Sequence, residues 1–384
     1  MAAWTHRSCR ASISRWSSAG AEPIRLPIPL TVLTGYLGSG KTTLLKALLA
    51  DPAMAGTAVI VNEFGEVGLD DQLIAAASEE TILLPSGCVC CAVRGDLVAA
   101  LTRLHEDVLA GRVPELRRAV LETTGLADPA PIVHTLMSER EIFRVWRLDG
   151  IVTTVDAEHG LSQLERAFEP AKQIALADRI VITKTDRAPV TTALEERIGA
   201  LNPGAVMLKA IRGAILPAAL IGLDAHEIRP DRRDISRWLA ADSFTAADHQ
   251  GHVHGAHDHA CDGAACAHPD HGHDHAHGHL HGVTSFCLTF EKPLAARQLE
   301  FAIELLRETH GDRLLRVKGI LDIEGQERPF VIHGVQHVFY PPEQLERWPG
   351  ADRRSRIVFI TRDLAEATVR TVFAPLIDGA SAAR

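Results

Sequence analysis

Three short runs in this sequence carry residue types and spacings that can do chemistry together. Gly35 to Thr42 reads G-Y-L-G-S-G-K-T and follows an apolar run. Glycines 35, 38 and 40 let the backbone wrap around phosphate oxygens with its N–H groups pointing inward, and Ser39 lies inside the same turn. The helix that follows, entered through Thr42 and Thr43, adds its positive end. Lys41 is placed to reach the β- and γ-phosphates and the Thr42 hydroxyl to ligate Mg²⁺. A second run, A-V-L-E-T-T-G from Ala119 to Gly125, is an apolar strand ending in a carboxylate. Beside a phosphate loop, Glu122 is expected to hold the Mg²⁺ shell or polarise water, and the Gly125 N–H to meet the γ-phosphate. The third, I-V-I-T-K-T-D from Ile180 to Asp186, ends another strand in T-K-x-D. The base loop of GTPases usually reads N-K-x-D. There the lysine packs on the base, and the aspartate accepts from the guanine N1–H and 2-amino group. Adenine lacks that donor pair, so Lys184 and Asp186 point to GTP. Thr183 departs from the usual Asn, and loop-bracing contacts are expected to differ there.

Metal chemistry is suggested at two further places. Ser86 to Cys91 reads S-G-C-V-C-C. Thiolates are soft donors suited to Zn²⁺ or Cu(I), and Cys88, Cys90 and Cys91 can supply a partial shell that leaves one position open. The bland alternative is buried structural thiols. Downstream, 12 of the 33 residues from His249 to His281 are histidine. His271, His273, His275, His277, His279 and His281 alternate, so an extended chain puts them on one side. Neutral imidazoles bind Zn²⁺, Ni²⁺, Co²⁺ and Cu²⁺. This tract is expected to act as a labile metal-binding loop, with a solvated low-complexity spacer as the alternative.

These residues need elements to position them. Ile28–Thr34, Ala58–Val61, Thr81–Leu84, Ala119–Thr123, Ile151–Val155 and Arg179–Thr183 read as buried strands. Thr42–Leu49, Asp96–Leu109 and Thr192–Leu201 have helical spacing. Alternating strands and helices predict an α/β fold, a P-loop NTPase with a doubly wound, mostly parallel sheet whose ligands sit at the carboxyl ends of its strands. The motifs fall at those ends. A smaller α+β unit is expected after Thr284. It holds strands at Ser285–Phe290, Leu314–Leu321, Phe330–Val338 and Arg356–Thr361, a helix over Leu294–Leu306, and a last helix capped by Asp363 and running through Phe373. The expected organisation is a disordered or leader-like tail (1–26), a GTPase domain (27–225), a linker with the His-rich loop (226–283) and a C-terminal domain (284–384).

Gross composition limits the choices. The chain has 384 residues, 46% of them apolar, enough for two or three domains. A formal net charge of −9 argues against nucleic acid as a general partner. No apolar run reaches the ~18 residues of a membrane span, so no membrane partner and a cytoplasmic location are expected. Seven cysteines, an odd number with three clustered, fit metal or thiol chemistry better than a disulfide framework.

Taken together, the motifs resemble those of the CobW-type metal-handling GTPases, relatives of the nickel-insertion GTPases. The resemblance rests on T-G-Y-L-G-S-G-K-T-T (Thr34–Thr43), N-E-F-G-E-V-G-L-D (Asn62–Asp70), G-C-V-C-C (Gly87–Cys91) and E-T-T-G-L-A-D-P (Glu122–Pro129). L-L-R-V-K-G-I-L (Leu314–Leu321) and H-G-V-Q-H (His333–His337) extend it into the second unit. It implies a GTPase domain followed by a CobW C-terminal domain. It also implies a metallochaperone role with zinc at the C-x-C-C cluster, a nucleotide-sensitive switch loop over Asn62–Asp70 with Glu63 and Asp70 as metal or water contacts, and a client apo-metalloprotein as partner. Self-association stays open. So do cobalt delivery for corrinoid synthesis, metal storage or sensing regulated by nucleotide, and ordinary hydrogen-bonding roles for His333 and His337.

Overall fold

The computed structural model describes residues 27–61, 82–85, 94–223 and 280–377, with backbone alone at 82–85, 94–96 and 280. Glu63, Asp70, the cysteines at 88, 90 and 91, and the histidines from 271 to 279 lie outside the described residues.

The first half of the chain builds a seven-stranded sheet. Its strands are β1 (Ile28–Gly35), β2 (Thr57–Val61), β3 (Ile82–Pro85), β4 (Arg118–Glu122), β5 (Trp146–Asp156), β6 (Arg179–Thr183) and β7 (Val206–Lys209), in the order β3-β2-β4-β1-β5-β6-β7. Every pairing is parallel. The helices are α1 (Lys41–Leu49), α2 (Arg94–Leu109), α3 (Ala130–Ser138), α4 (Arg140–Val145), α5 (Gly160–Arg166), α6 (Phe168–Leu176) and α7 (Thr192–Leu201). Side chains alternate across the sheet, as the pleat demands. Leu30, Val32, Ala58, Ile60, Ala119 and Leu121 enter the core under α2 and α3. Leu33, Val59 and Val120 enter the opposite core with Leu44, Leu45 and Leu48 of α1.

The second half forms a mostly antiparallel layer. Its strands are β8 (Val283–Phe290), β9 (Leu314–Leu321), β10 (Phe330–Val335), β11 (Val338–Phe339), β12 (Glu343–Gln344) and β13 (Ser355–Arg362), ordered β11-β10-β9-β13-β8 with β12 also on β10. Helices α8 (Ala296–His310) and α9 (Glu366–Ile377) cover one face, where Leu299, Leu306, Val369 and Phe373 meet Phe286, Leu288 and Phe359. The expected Phe330–Val338 strand is interrupted by a turn at Gln336, whose φ is +53°. Asp363 does not cap the last helix, because that helix begins three residues later at Glu366 and Asp363 itself takes φ +50° in the preceding turn.

The apolar cores run across the seam between the two halves. Val335 and Tyr340 pack with Trp146 and Leu148, and Val283, Leu315 and Ile360 pack with Ile174 and Ile180. The seam also holds buried charge. Asp178, just before β6, accepts from Arg316 Nη2 at 2.9 Å, from Lys318 Nζ, and from the Ile151 N–H at 2.8 Å. Burial alone would raise the Asp178 carboxyl, but the two cations outweigh it and hold the group well below the usual carboxylate range. Burial pulls the Lys318 ammonium down to about 8, only partly offset by Asp178. Among the described residues no helix is long and apolar enough to cross a membrane.

Candidate functional site

The phosphate loop takes the shape its glycines permit. Gly35, Gly38 and Gly40 have φ of +144°, +69° and +91°. At Gly35 a Cβ would stand 2.2 Å from Thr154 Oγ1 and 2.7 Å from Ser39 Oγ, so any side chain would break the turn. The floor is knitted by hydroxyls. Ser39 Oγ and Thr154 Oγ1 lie 2.6 Å apart, and Thr123 Oγ1 donates to Thr34 Oγ1 at 2.9 Å. Lys41 is buried, with Nζ donating to Gly35 O at 3.0 Å and Tyr36 O at 3.3 Å. The ammonium therefore sits inside the curl of the loop, where phosphate oxygens can replace those carbonyls.

Beside it, Thr42 Oγ1 donates to Glu122 Oε1 at 2.7 Å. Glu122 is 4% exposed. A hydroxyl and a carboxylate at contact distance form a hard oxygen pair, the donor chemistry that Mg²⁺ prefers. Strand register explains the meeting, because Glu122 at the end of β4 pairs with Leu33 on β1 and with Val61 on β2. The loop after β4 then folds back over the phosphate loop. A Cβ on Gly125 would lie 2.7 Å from Leu37 N and Cα, so only glycine allows this approach. Two consecutive residues of α6 hold that loop in place. Gln173 Nε2 donates to Gly125 O at 3.2 Å and Ala127 O at 3.0 Å, and Lys172 Nζ pairs with Asp128 at 2.6 Å. Sequence reasoning missed Gln173. The only sign in the chain is a lone polar residue on an otherwise apolar helix face.

At the base loop, Thr183 is bound into the site rather than merely tolerated. Its Oγ1 is 2.6 Å from Ser39 O and 3.2 Å from Val155 O, so it ties β6 to the phosphate loop. Lys184 takes a left-handed φ of +57° and its Nζ donates to Asp156 Oδ2 at 2.6 Å. Burial raises the Asp156 carboxyl, but Lys184 and the N–H groups of Glu158 and His159 bring it below its ordinary value. Asp186 lies 3.5 Å from the exposed Arg212.

His281 behaves differently from a free loop histidine. Its Nε2 is 2.9 Å from Leu164 O, and its ring meets Phe168 edge-on at 5.8 Å, while Arg362 lies over the same Phe168 ring at 3.9 Å. The last member of the histidine tract is thus docked on the half that carries the phosphate loop. His333 stacks on Tyr340 at 4.0 Å, and His337 meets His134 at 4.7 Å, both at the seam. Among the described residues no group of three His, Cys, Asp or Glu is arranged to hold a metal ion.

Comparison with known proteins agrees with this geometry. Residues 29–209 match the nucleotide-binding domain described as CobW/HypB/UreG, and residues 283–376 match the cobalamin synthesis protein cobW C-terminal domain. The chain is 31% identical over 350 residues to the zinc chaperone YjiA of Escherichia coli, covering 91% of this chain and 99% of that protein. The crystal structure of the Zn(II)-bound YjiA GTPase superposes with a TM-score of 0.62, at 28% identity over 91% of this chain and 99% of that one. A zinc-regulated GTPase metalloprotein activator 1 of Saccharomyces cerevisiae is 32% identical over 219 residues, half of each chain. Zinc chaperone CobW of Pseudomonas aeruginosa is 30% identical over 382 residues, 89% of each.

Proposed function

The chain belongs to the CobW family of P-loop GTPases, and from that premise we propose that it hydrolyses GTP in order to pass zinc to an apo-metalloprotein client. One observation carries this reading. Val61, Pro85 and Glu122 are level with one another across β3, β2 and β4. Neighbouring strands lie about 4.8 Å apart. The switch segment from residue 62, the cysteine segment from residue 86 and the carboxylate at Glu122 therefore all leave one edge of the sheet side by side. That adjacency lets the state of the nucleotide bear on the thiolates.

In this mechanism Lys41 leaves the carbonyls of Gly35 and Tyr36 for the β- and γ-phosphates. Lys184 and Asp186 hold guanine. Thr42 and Glu122 would hold Mg²⁺, which when bound neutralises charge on the phosphate oxygens. A water molecule ordered near Glu122 attacks the γ-phosphorus and its proton passes to an oxygen of the transferred phosphate, with the Gly125 N–H stabilising the charge on the transferring group. The bond to the β–γ bridging oxygen breaks, its electron pair goes to GDP, and inorganic phosphate leaves. Zinc is the cargo, taken up by Cys88, Cys90 and Cys91. Glu63 and Asp70 are the switch contacts that relax after hydrolysis. The histidines at 271, 273, 275, 277 and 279 supply weaker, local capture, whereas His281, expected in the same labile set, is engaged with Leu164 O. Thiolate softness favours zinc over cobalt or nickel, and the reaction belongs in the cytoplasm.

The test is zinc transfer from wild-type, Cys90→Ser and Lys41→Ala protein to candidate apo-enzymes, with GTP or GDP. Transfer that needs GTP, Lys41 and Cys90 supports the proposal. Faster transfer of Co²⁺ than Zn²⁺ would favour cobalt delivery. Undiminished transfer by Lys41→Ala would make the protein a store or sensor instead.

A further inference from the structure

The side-chain donors of the base loop are already directed at the protein itself. The single hydroxyl proton of Thr183 faces Ser39 O at 2.6 Å, with Val155 O farther off at 3.2 Å. Lys184 Nζ donates to Asp156 Oδ2 at 2.6 Å, and Thr185 Oγ1 donates to Ala210 O at 3.2 Å. Nearby, Lys209 pairs with Glu195 at 2.8 Å and Arg187 with Glu158 at 3.6 Å. Guanine carries two acceptors, O6 and N7, besides the N1–H and 2-amino donors that suit Asp186. The run from Thr183 to Asp186 can meet the donors of the base, but its side chains hold no spare donor for O6.

Arg212 supplies one. It stands in the turn after β7, and its Nε lies 3.5 Å from Asp186 Oδ2. The Arg212 side chain is 86% exposed and that of Asp186 27%. An ion pair so open to water holds its members weakly, so the guanidinium fork can turn to a ligand and still neighbour Asp186. The turn beneath it is fixed. Ala210 N donates to Ile182 O and Ala214 N to Ile211 O, both at 2.9 Å. A Cβ on Gly213 would lie 2.7 Å from Thr43 O, so the turn rests on the first turn of α1, next to the phosphate loop. Arg212 takes φ +49°, a left-handed conformation uncommon for a residue with a side chain, as does Lys184 at +57°.

We propose that Arg212 donates to O6 of guanine while Asp186 accepts from N1–H and the 2-amino group, so that the two side chains read one edge of the base as a unit. The inference rests on the base-binding role proposed above for Lys184 and Asp186. O6 adjoins N1 on the purine ring. A cation beside the Asp186 carboxylate therefore lies beside O6 once N1–H meets that carboxylate. Adenine carries an amino donor at the same ring position. There the guanidinium would face a donor, which makes Arg212 a means of rejection as well as of recognition.

Titration calorimetry in Mg²⁺ decides this, with GDP, 6-thio-GDP and ADP on wild-type and Arg212→Met protein. Sulfur at position 6 accepts hydrogen bonds poorly and leaves the N1–H and 2-amino groups in place. The wild type should bind GDP about tenfold more tightly than 6-thio-GDP. Arg212→Met should bring the two within about twofold by weakening GDP, and the exposed position lets the variant fold. A wild type that prefers GDP to ADP, with the same ratio of GDP to 6-thio-GDP affinity in Arg212→Met, would assign O6 to another donor and overturn the proposal. Equal binding of GDP and ADP by the wild type would instead overturn the guanine reading of Lys184 and Asp186, and this inference with it.

Discussion

At single residues the proposed nucleotide chemistry makes sharp predictions. Guanine offers Asp186 an N1–H and a 2-amino group, two donors to one carboxylate. Xanthine replaces the amino group with a carbonyl, so an amide that donates and accepts fits it better. Asp186→Asn should therefore lose GTP hydrolysis and gain XTP hydrolysis. Single-turnover assays with both nucleotides check this, and unchanged preference would remove Asp186 from base recognition. Gly125→Ala tests the approach of two backbones, since the added carbon would lie 2.7 Å from Leu37 N. The γ-phosphate contact should be displaced, with kcat falling by about 10²-fold, in the range for loss of one preorganised donor, while GDP affinity holds. The phosphate loop, the strand-end Glu122 and the base loop were legible as positions in the fold because each is a contiguous run at the end of a strand. Thr183 was legible as a departure, but its remedy was not, because Ser39 O lies 144 positions away in sequence.

At the scale of elements, α6 is the hidden part of the machinery. It is short, and its run F-E-P-A-K-Q-I-A-L shows no nucleotide motif. Its Lys172 and Gln173 nevertheless fix the loop from Gly125 to Asp128. Gln173→Leu would leave two buried carbonyls without their donor, a cost of about 1–3 kcal/mol each. We expect kcat to drop about tenfold or more while the dissociation constant of GDP stays within about twofold, a split that stopped-flow nucleotide binding and phosphate release can resolve. Equal loss of both would mean that α6 serves stability alone. Strand lengths reveal a second limit of sequence reading. Ile151–Val155 was visible as a strand, but β5 begins at Trp146. Arg147 and Asp149 interrupt its apolar run and are nonetheless 7% and 4% exposed. Asp149 is held by Thr31 and by the N–H groups of Gly222 and Leu223, and Arg147 donates to Pro27 O, partners 73 or more positions away that local periodicity could not show. The Arg-x-Lys of β9 was likewise visible as a pattern without its partner, Asp178.

For the molecule as a whole, that partner sets acid stability. The Asp178 carboxyl is held below its unfolded value, about 3.9 for a free aspartate, so the folded state binds fewer protons there. Its contribution is fully present above that value and is lost as pH falls through it towards the lower folded value. Asp178→Asn leaves Arg316 and Lys318 buried without their anion and should cost about 3–5 kcal/mol near neutrality. The gap in Tm between wild type and variant should shrink as pH falls below about 4. A gap that does not change between pH 7 and pH 3 would show that the charge of Asp178 is immaterial. The order of strands has another consequence, one of time. β1 leads the sequence but lies between β4 and β5, and Ser39 is braced by Thr183. A chain growing from its amino end makes its phosphate loop early and cannot support it until those later strands exist. At about 5–20 residues per second, the ribosome needs roughly 7–30 s to add the intervening residues. Throughout that interval the nascent protein carries the sequence of a GTPase without the means to hold GTP.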